Sequence, residues 1–201
     1  MSDLLRIVKV GGSLLALGDL AARLRQWISA QPAGRNVLIA GGGELAEEVR
    51  RWDERFQLGQ ERSHWLCADL LDVSAHLLHH LLPETRLCRS VNGLADPAAK
   101  PDIVVLAPAA FLHHEESGFA GDRLPHTWEA TTDSIAARVA DVTGADELVL
   151  LKSSLPKSFA TLADLSGEYV DSYFAWAARP LAEVRFVNLR EPGFPEVYAW
   201  E

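Results

Sequence analysis

The chain has 201 residues, 48% of them hydrophobic and 23% charged, with a formal net charge of −9; that length suits a single domain with a substantial core. The acidic balance, without any basic run, argues against sequence-independent nucleic-acid binding, which needs clustered Lys and Arg to displace counterions. No apolar run nears the roughly 20 residues of a membrane helix, Arg6 and Lys9 break what a signal peptide would keep continuous, and Cys67 and Cys88 suggest neither a disulfide framework nor zinc, so a cytoplasmic protein with no membrane partner is expected.

Ile7-Val8-Lys9-Val10 reads as a buried strand that empties into Gly11-Gly12-Ser13. A buried unpaired ammonium is costly, so a lysine inside such a strand points to a partner or an anionic ligand. The glycine pair lets backbone approach a ligand without Cβ clashes, and amides beside a lysine suit a phosphate. A strand-end lysine beside an ordinary turn is the plainer alternative.

Asp19–Ser29 reads as a helix with Leu20, Leu24, Trp27 and Ile28 on one face, and Pro32 and Gly34 turn the chain into a second strand, Asn36–Ala40. That strand runs into Gly41-Gly42-Gly43 and an amphipathic helix whose Leu45, Ala46, Val49, Trp52 and Phe56 keep the 3.6-residue period. Glycines at a strand-to-helix junction present amides at the positive end of the helix dipole, a ready anion site, though they serve tight helix–sheet packing equally well. The spacing is neither that of the P-loop nor the dinucleotide G-x-G-x-x-G.

Ser63–Leu82 reads as a long helix with Asp69, Asp72, His76, His79 and His80 on one side and a wide apolar face opposite, stopped by Pro83. A weak strand near Leu87–Ser90 precedes a Pro/Ala loop, and Asp102–Leu106 reads as a buried strand. Leu112–Trp128 looks irregular, a length that is usually functional or mobile inside a compact domain. Thr131-Thr132-Asp133-Ser134 then opens a helix ending at Gly144, with either threonine or Asp133 able to cap it. Glu147–Leu151 is a further buried strand and Val184–Asn188 is expected to be the last. Strands alternating with helices imply parallel pairing and an α/β, three-layer α/β/α sandwich. His79-His80 and His113-His114 lack the i, i+4 spacing of a helical metal site, so no metal ligands are expected.

Lys9-Val10-Gly11-Gly12-Ser13, Ala40-Gly41-Gly42-Gly43-Glu44 and Thr131-Thr132-Asp133-Ser134 stand in the order and spacing of the amino acid kinase superfamily, which the chain resembles over about residues 5 to 152. Ser63-His64-Trp65 and Trp128-Glu129-Ala130, with the weaker strings Val170–Phe174 and Val187-Asn188, are similar to the branch that phosphorylates (5-(aminomethyl)furan-3-yl)methyl phosphate for methanofuran-type cofactors. The resemblance implies a carbamate kinase-like fold with a mainly parallel sheet, residues 5–130 forming the acceptor-binding half and residues 131–201 a shortened nucleotide-binding half. It further implies transfer of the γ-phosphoryl group of ATP, with Mg²⁺, to a small acceptor, and a homo-oligomer. Lys9 would contact the β/γ-phosphates, Gly11, Gly12 and Ser13 the same oxygens, and Asp133 would orient lysines rather than act as a base. Gly41, Gly42 and Gly43, with His64, Trp128 and Thr132, would form the acceptor site.

The family's nucleotide strand normally ends Thr-Asp-x-x-Gly-[Val/Ile]-Tyr; here it ends Leu150-Leu151-Lys152-Ser153-Ser154-Leu155-Pro156-Lys157, and the later lysine-bearing segment has no match. Lys152, or less readily Lys157, would replace the second lysine. These departures keep other readings open: a non-catalytic homologue that binds a phosphorylated ligand or regulates, a kinase of an acyl-phosphate or nucleoside monophosphate type, and a structural partner assembling through Ser63–Leu82.

Overall fold

The computed structural model describes residues 4–94, 102–156 and 158–199. Lys157 and most of the expected Pro/Ala loop lie outside them. Strands β1 (Leu4–Val10), β2 (Gly34–Ala40), β3 (Arg86–Cys88), β4 (Ile103–Leu106), β5 (Glu147–Lys152), β6 (Val184–Asn188) and β7 (Glu196–Ala199) form one sheet in the order β3-β4-β2-β1-β5-β6-β7. Every pairing is parallel except β6 with β7. The expected mainly parallel α/β sheet is therefore present, but Val184–Asn188 is not its last strand. The extra edge strand is four residues long and follows Pro195; a short strand half open to solvent carries little of the apolar signal that marks a buried one.

Alternation along the strands sorts two apolar layers. Leu5, Ile7, Val37, Ile39, Leu148 and Leu150 face one side, under helix α4 (Thr132–Thr143) with Ile135, Ala136, Val139 and Ala140. Val8, Val10, Leu38, Val149 and Leu151 face the other, under helix α1 (Leu20–Ser29) with Leu20, Leu24 and Trp27. Helix α2 (Gly43–Phe56) and the 22-residue helix α3 (Gln60–Leu81) pack beside each other, and α3 serves both layers, Ala68 and Leu71 in the first, Ala75 and Leu78 in the second. A four-residue helix α5 (Phe174–Ala177) adds Phe174 to the first layer.

Period alone did not assign the faces of α2 and α3. Of the five apolar positions on α2, Val49 is buried, whereas Leu45, Trp52 and Phe56 are exposed. Helix α3 carries two apolar stripes, one inward and one, through Leu66, Val73, Leu77 and Leu81, outward. The irregular stretch Leu112–Trp128 is confirmed except for one π-type turn over Phe111–Glu115 and a 3-10 turn over Glu116–Gly118. At the far edge of the sheet, Glu147 pairs with Arg6 and with Arg185 (2.7 Å), and Arg185 also pairs with Glu196 (2.8 Å), a buried network that ties β1, β5, β6 and β7.

Candidate active site

The strand order changes sides at β1: β2 and β4 lie to one side of it, and the chain then crosses to place β5 on the other. Such a switch opens a crevice at the carboxyl ends of the strands, the usual ligand position in open α/β sheets. Lys9, by alternation with Ile7, points toward α4, and Lys152 does the same by alternation with Leu148 and Leu150. Between them stands Asp133, in the first turn of α4. Its Oδ1 lies 2.7 Å from the Lys9 Nζ and its Oδ2 accepts a hydrogen bond from the Lys152 Nζ, also at 2.7 Å.

This cluster is buried, with side-chain exposures of 8% for Lys9, 6% for Asp133 and 13% for Lys152. Burial works to raise the Asp133 carboxyl, and the two ammoniums overrule it, holding it below the ordinary carboxylate range. Burial and the charge of Lys9 bring the Lys152 ammonium down to about 8. Lys152 also donates to the Tyr169 carbonyl (3.0 Å), and the Tyr169 ring lies 5.1 Å from its Nζ.

Asp133 does not cap its helix. Asp171 reaches across instead: its Oδ2 accepts from the Thr131 amide (2.9 Å), the Thr131 hydroxyl (2.9 Å) and the Ser134 amide (3.0 Å), and its Oδ1 accepts from the Ser134 hydroxyl. Of the expected caps, Thr131 holds the N-cap position without a side-chain cap bond and Asp133 lies inside the first turn; a carboxylate from another segment takes the orphan amides and leaves Asp133 to the lysines.

The two glycine corners touch. A Cβ at Gly12 would stand 2.4 Å from the Gly43 nitrogen, and Gly43 has φ +55, a conformation that favours glycine. Close packing therefore explains part of the pattern. The Gly11 amide donates to the Leu151 carbonyl (2.8 Å) and the Gly41 amide to the Val10 carbonyl (2.9 Å). The expectation that Gly11 offers its amide to phosphate is corrected on that ground, since the sheet already uses it. Gly12, Gly42 and Gly43 stand at helix starts, where amides have no intrahelical acceptor.

Beside the corners lies a cavity of about 230 Å³ lined by Lys9, Gly12, Gly41, Gly42, Gly43, His64, Trp128, Thr132 and Ile135, among others. All six expected acceptor residues thus share one space with Lys9. Lys152 and Ser13 are not on its wall; the Ser13 hydroxyl instead faces that of Ser153 at 3.3 Å. His64 is buried and packs on His126, ring centroids 5.2 Å apart. Burial, then the neighbouring His126, pushes its pKa down to about 4, so it is neutral at pH 7. Cys67 also lines the cavity, and burial pushes its thiol up to about 11, which leaves it unreactive.

Sequence reasoning missed Arg50, which lines the same wall with its guanidinium 4.2 Å from the centre of the Trp128 ring. It follows Gly43 by seven residues, one helical face, and that period was a usable signal. Asp171 lay in one of the weaker branch-like strings, but its role could not be read there because its partners are 37 and 40 residues away.

The sequence profile of a family described as the amino acid kinase family matches residues 5–154. A (5-(aminomethyl)furan-3-yl)methyl phosphate kinase from Methanocaldococcus jannaschii is 25% identical over 149 residues, which are 73% of this chain and 64% of that protein. The chain thus spans somewhat less than two thirds of that relative. Among solved structures, uridylate kinase from Archaeoglobus fulgidus matches with a TM-score of 0.61 at 16% identity, over 90% of this chain and 89% of that one. UMP kinase from Bacillus anthracis matches with a TM-score of 0.62 at 14% identity, over 97% and 98%.

Proposed function

Because this chain belongs to the amino acid kinase family, we propose that it is an ATP-dependent kinase whose acceptor is a small phosphomonoester, of which (5-(aminomethyl)furan-3-yl)methyl phosphate is the leading example. One observation carries the catalytic part: two lysines from neighbouring strands converge on one buried aspartate beside a glycine-cornered cavity. The acceptor's identity is supported by the Methanocaldococcus relative.

Phosphoryl transfer asks a protein for in-line positioning and dispersed negative charge more than for covalent chemistry. Lys9, at the cavity wall, neutralises the transferring group. Lys152 supplies a second positive charge from the end of β5, and Asp133 fixes both ammoniums at set positions. Asp133, held ionised, is a poor base, and none is needed: a phosphomonoester, with a second pKa of about 6, is mostly dianionic at neutral pH. The amides of Gly12, Gly42 and Gly43 serve the oxygens of donor and acceptor. Among the described residues no group of three His, Cys, Asp or Glu side chains gathers to hold a metal, and both Asp133 oxygens are engaged by lysines. A Mg²⁺ ion would arrive with the nucleotide and would add its charge to that of Lys9 and Lys152 in neutralising the phosphates. The reading includes a cytoplasmic setting and assembly with a second copy through the outward stripe of α3. No helix of the described residues is long and apolar enough to cross a membrane.

The burial of Lys152 under Tyr169 favours one second reading, a non-catalytic homologue that binds a phosphorylated ligand. Phosphorus NMR of products separates the two. Incubation with Mg-ATP and a panel of phosphomonoesters, carboxylates and nucleoside monophosphates is expected to give a diphosphate from a phosphomonoester. Transfer only to a carboxylate would overturn the acceptor class, and ligand binding without transfer to any acceptor would establish the second reading.

A further inference from the structure

Arg50 occupies an unusual position for an arginine on an open helix face. Its guanidinium lies over the Trp128 ring at 4.2 Å, and the Trp128 indole N–H donates to the Asp53 carboxylate at 3.0 Å. Arg50 and Asp53 are one turn apart on α2, so Trp128 is clipped between two side chains of one helix. The second Asp53 oxygen accepts from the Gly59 amide at 2.9 Å, which fixes the clip to the turn before α3. Those two bonds, Trp128 first, hold the Asp53 carboxyl below its usual range, so it stays charged.

The contact with Trp128 restrains the guanidinium, while the Arg50 side chain stays 43% exposed. Among the described residues Arg50 has no hydrogen-bond acceptor, and its ion partner is Glu47 at 3.5 Å, whose side chain is 62% exposed. Such a screened contact is weak, and a dianion displaces it readily. The charges of the cavity wall make the same point. Lys9 shares Asp133 with Lys152 and His64 is neutral, so among the described residues Arg50 is the cation of that wall that faces no buried carboxylate. Helical side chains lean toward the helix N-terminus, so Arg50 reaches back along α2 toward the corner at Gly43. Ala46, Ala68, Leu71 and Ile135 give the wall an apolar part, beside the hydroxyl-bearing Thr127, Thr131 and Thr132 and the largely exposed Glu47.

We propose that Arg50, held over the face of Trp128, is the receptor for the acceptor's phosphoryl group and sets its specificity. Its fork of N–H groups binds two phosphoryl oxygens side by side and leaves the third toward Lys9, while the apolar part of the wall holds a small uncharged or aromatic body. A planar fork matches phosphate in a way that a lysine does not. The proposal rests on the kinase reading for the acceptor's chemical class, and it goes beyond it in naming the residue that selects phosphate.

Calorimetric titration of the whole protein without nucleotide tests this. The probes are (5-(aminomethyl)furan-3-yl)methyl phosphate, the corresponding alcohol, and phenyl phosphate, and circular dichroism verifies that each variant is folded. Arg50→Gln is expected to weaken phosphate-ester binding about 10- to 100-fold and to abolish the preference over the alcohol. Arg50→Lys should recover only part of the loss. Arg51→Gln, which removes an exposed neighbour paired with Glu48, should bind as wild type. The proposal is overturned if Arg50→Gln binds within twofold of wild type, if Arg51→Gln weakens binding equally, or if wild type binds neither ester more tightly than the alcohol. Binding of phenyl phosphate through Arg50 without binding of the furan ester would remove the named acceptor and uphold the receptor. Binding through Arg50 with no transfer from ATP would remove the catalytic reading alone.

Discussion

At Lys9 a parallel sheet accepts an ammonium at 7% exposure because Asp133 stands 2.7 Å away. Desolvating a charge is expensive, and a buried pair compensates only when its geometry is good and its remaining atoms are served. Asp133 meets that condition by facing two lysines at once, so the trio carries a net charge of about +1 in a water-poor setting. That surplus suits a triphosphate. It also makes Lys152 the pH-sensitive member, since burial and Lys9 bring it to about 8. The sign follows directly: Lys152 is cationic below that pH and loses its charge above it. The kcat/KM for Mg-ATP, which reports the free enzyme, should be level below about pH 7, reach half its plateau near pH 8 and fall further above it. Lys152→Arg should remove that limb. A wild-type profile flat to pH 9.5 would mean that Lys152 plays no part. Lys9 was legible in the sequence because a charge inside an apolar strand is a local anomaly. The role of Asp133 was ambiguous, since an aspartate in the first turn of a helix reads equally as a cap, and only the distant Asp171 resolves it.

Among the elements, α4 depends on a residue outside itself. Asp171 gathers the start of the helix with four hydrogen bonds and so sets where Asp133 projects. Asp171→Ala leaves buried amides and hydroxyls unmatched, at a cost of about 2–4 kcal/mol, which corresponds to a thermal midpoint lower by roughly 5–15 °C for a chain of this size. Asp171→Asn, which keeps an acceptor, should lose about half as much. Differential scanning calorimetry would show it, and an unchanged midpoint in Asp171→Ala would leave the cap without energetic weight. The strands and helices of the core were readable because buried parallel strands are runs of Val, Leu and Ile. Edge strand β7 was not, being short, mixed in polarity and exposed at Glu196 and Tyr198. Period revealed an apolar face on α2 but could not say which way it turned, because periodicity fixes spacing and not orientation.

Across the whole molecule, the change of side in the strand order at β1 brings the two lysines, both glycine corners and the start of α4 together at the carboxyl ends of the strands. That convergence was implied by the family resemblance, whereas the clip of Arg50, Trp128 and Asp53 required two segments 75 residues apart to meet. The outward stripe of α3 is the other global feature, with Val73 at 57% and Leu77 at 46% exposure. Contiguous exposed apolar side chains of this kind mark contact surfaces. Light scattering on eluting protein should give twice the chain mass for wild type and the single-chain mass for Leu77→Asp; a monomeric wild type would contradict assembly through this helix. The catalytic account as a whole turns on transfer of label from γ-labelled Mg-ATP to (5-(aminomethyl)furan-3-yl)methyl phosphate, measured for wild type and for Lys9→Ala. It predicts acceptor-dependent labelling by wild type and a loss of at least about 100-fold in Lys9→Ala; a folded wild type that leaves the acceptor unlabelled, or a Lys9→Ala variant that labels it as fast, would contradict it.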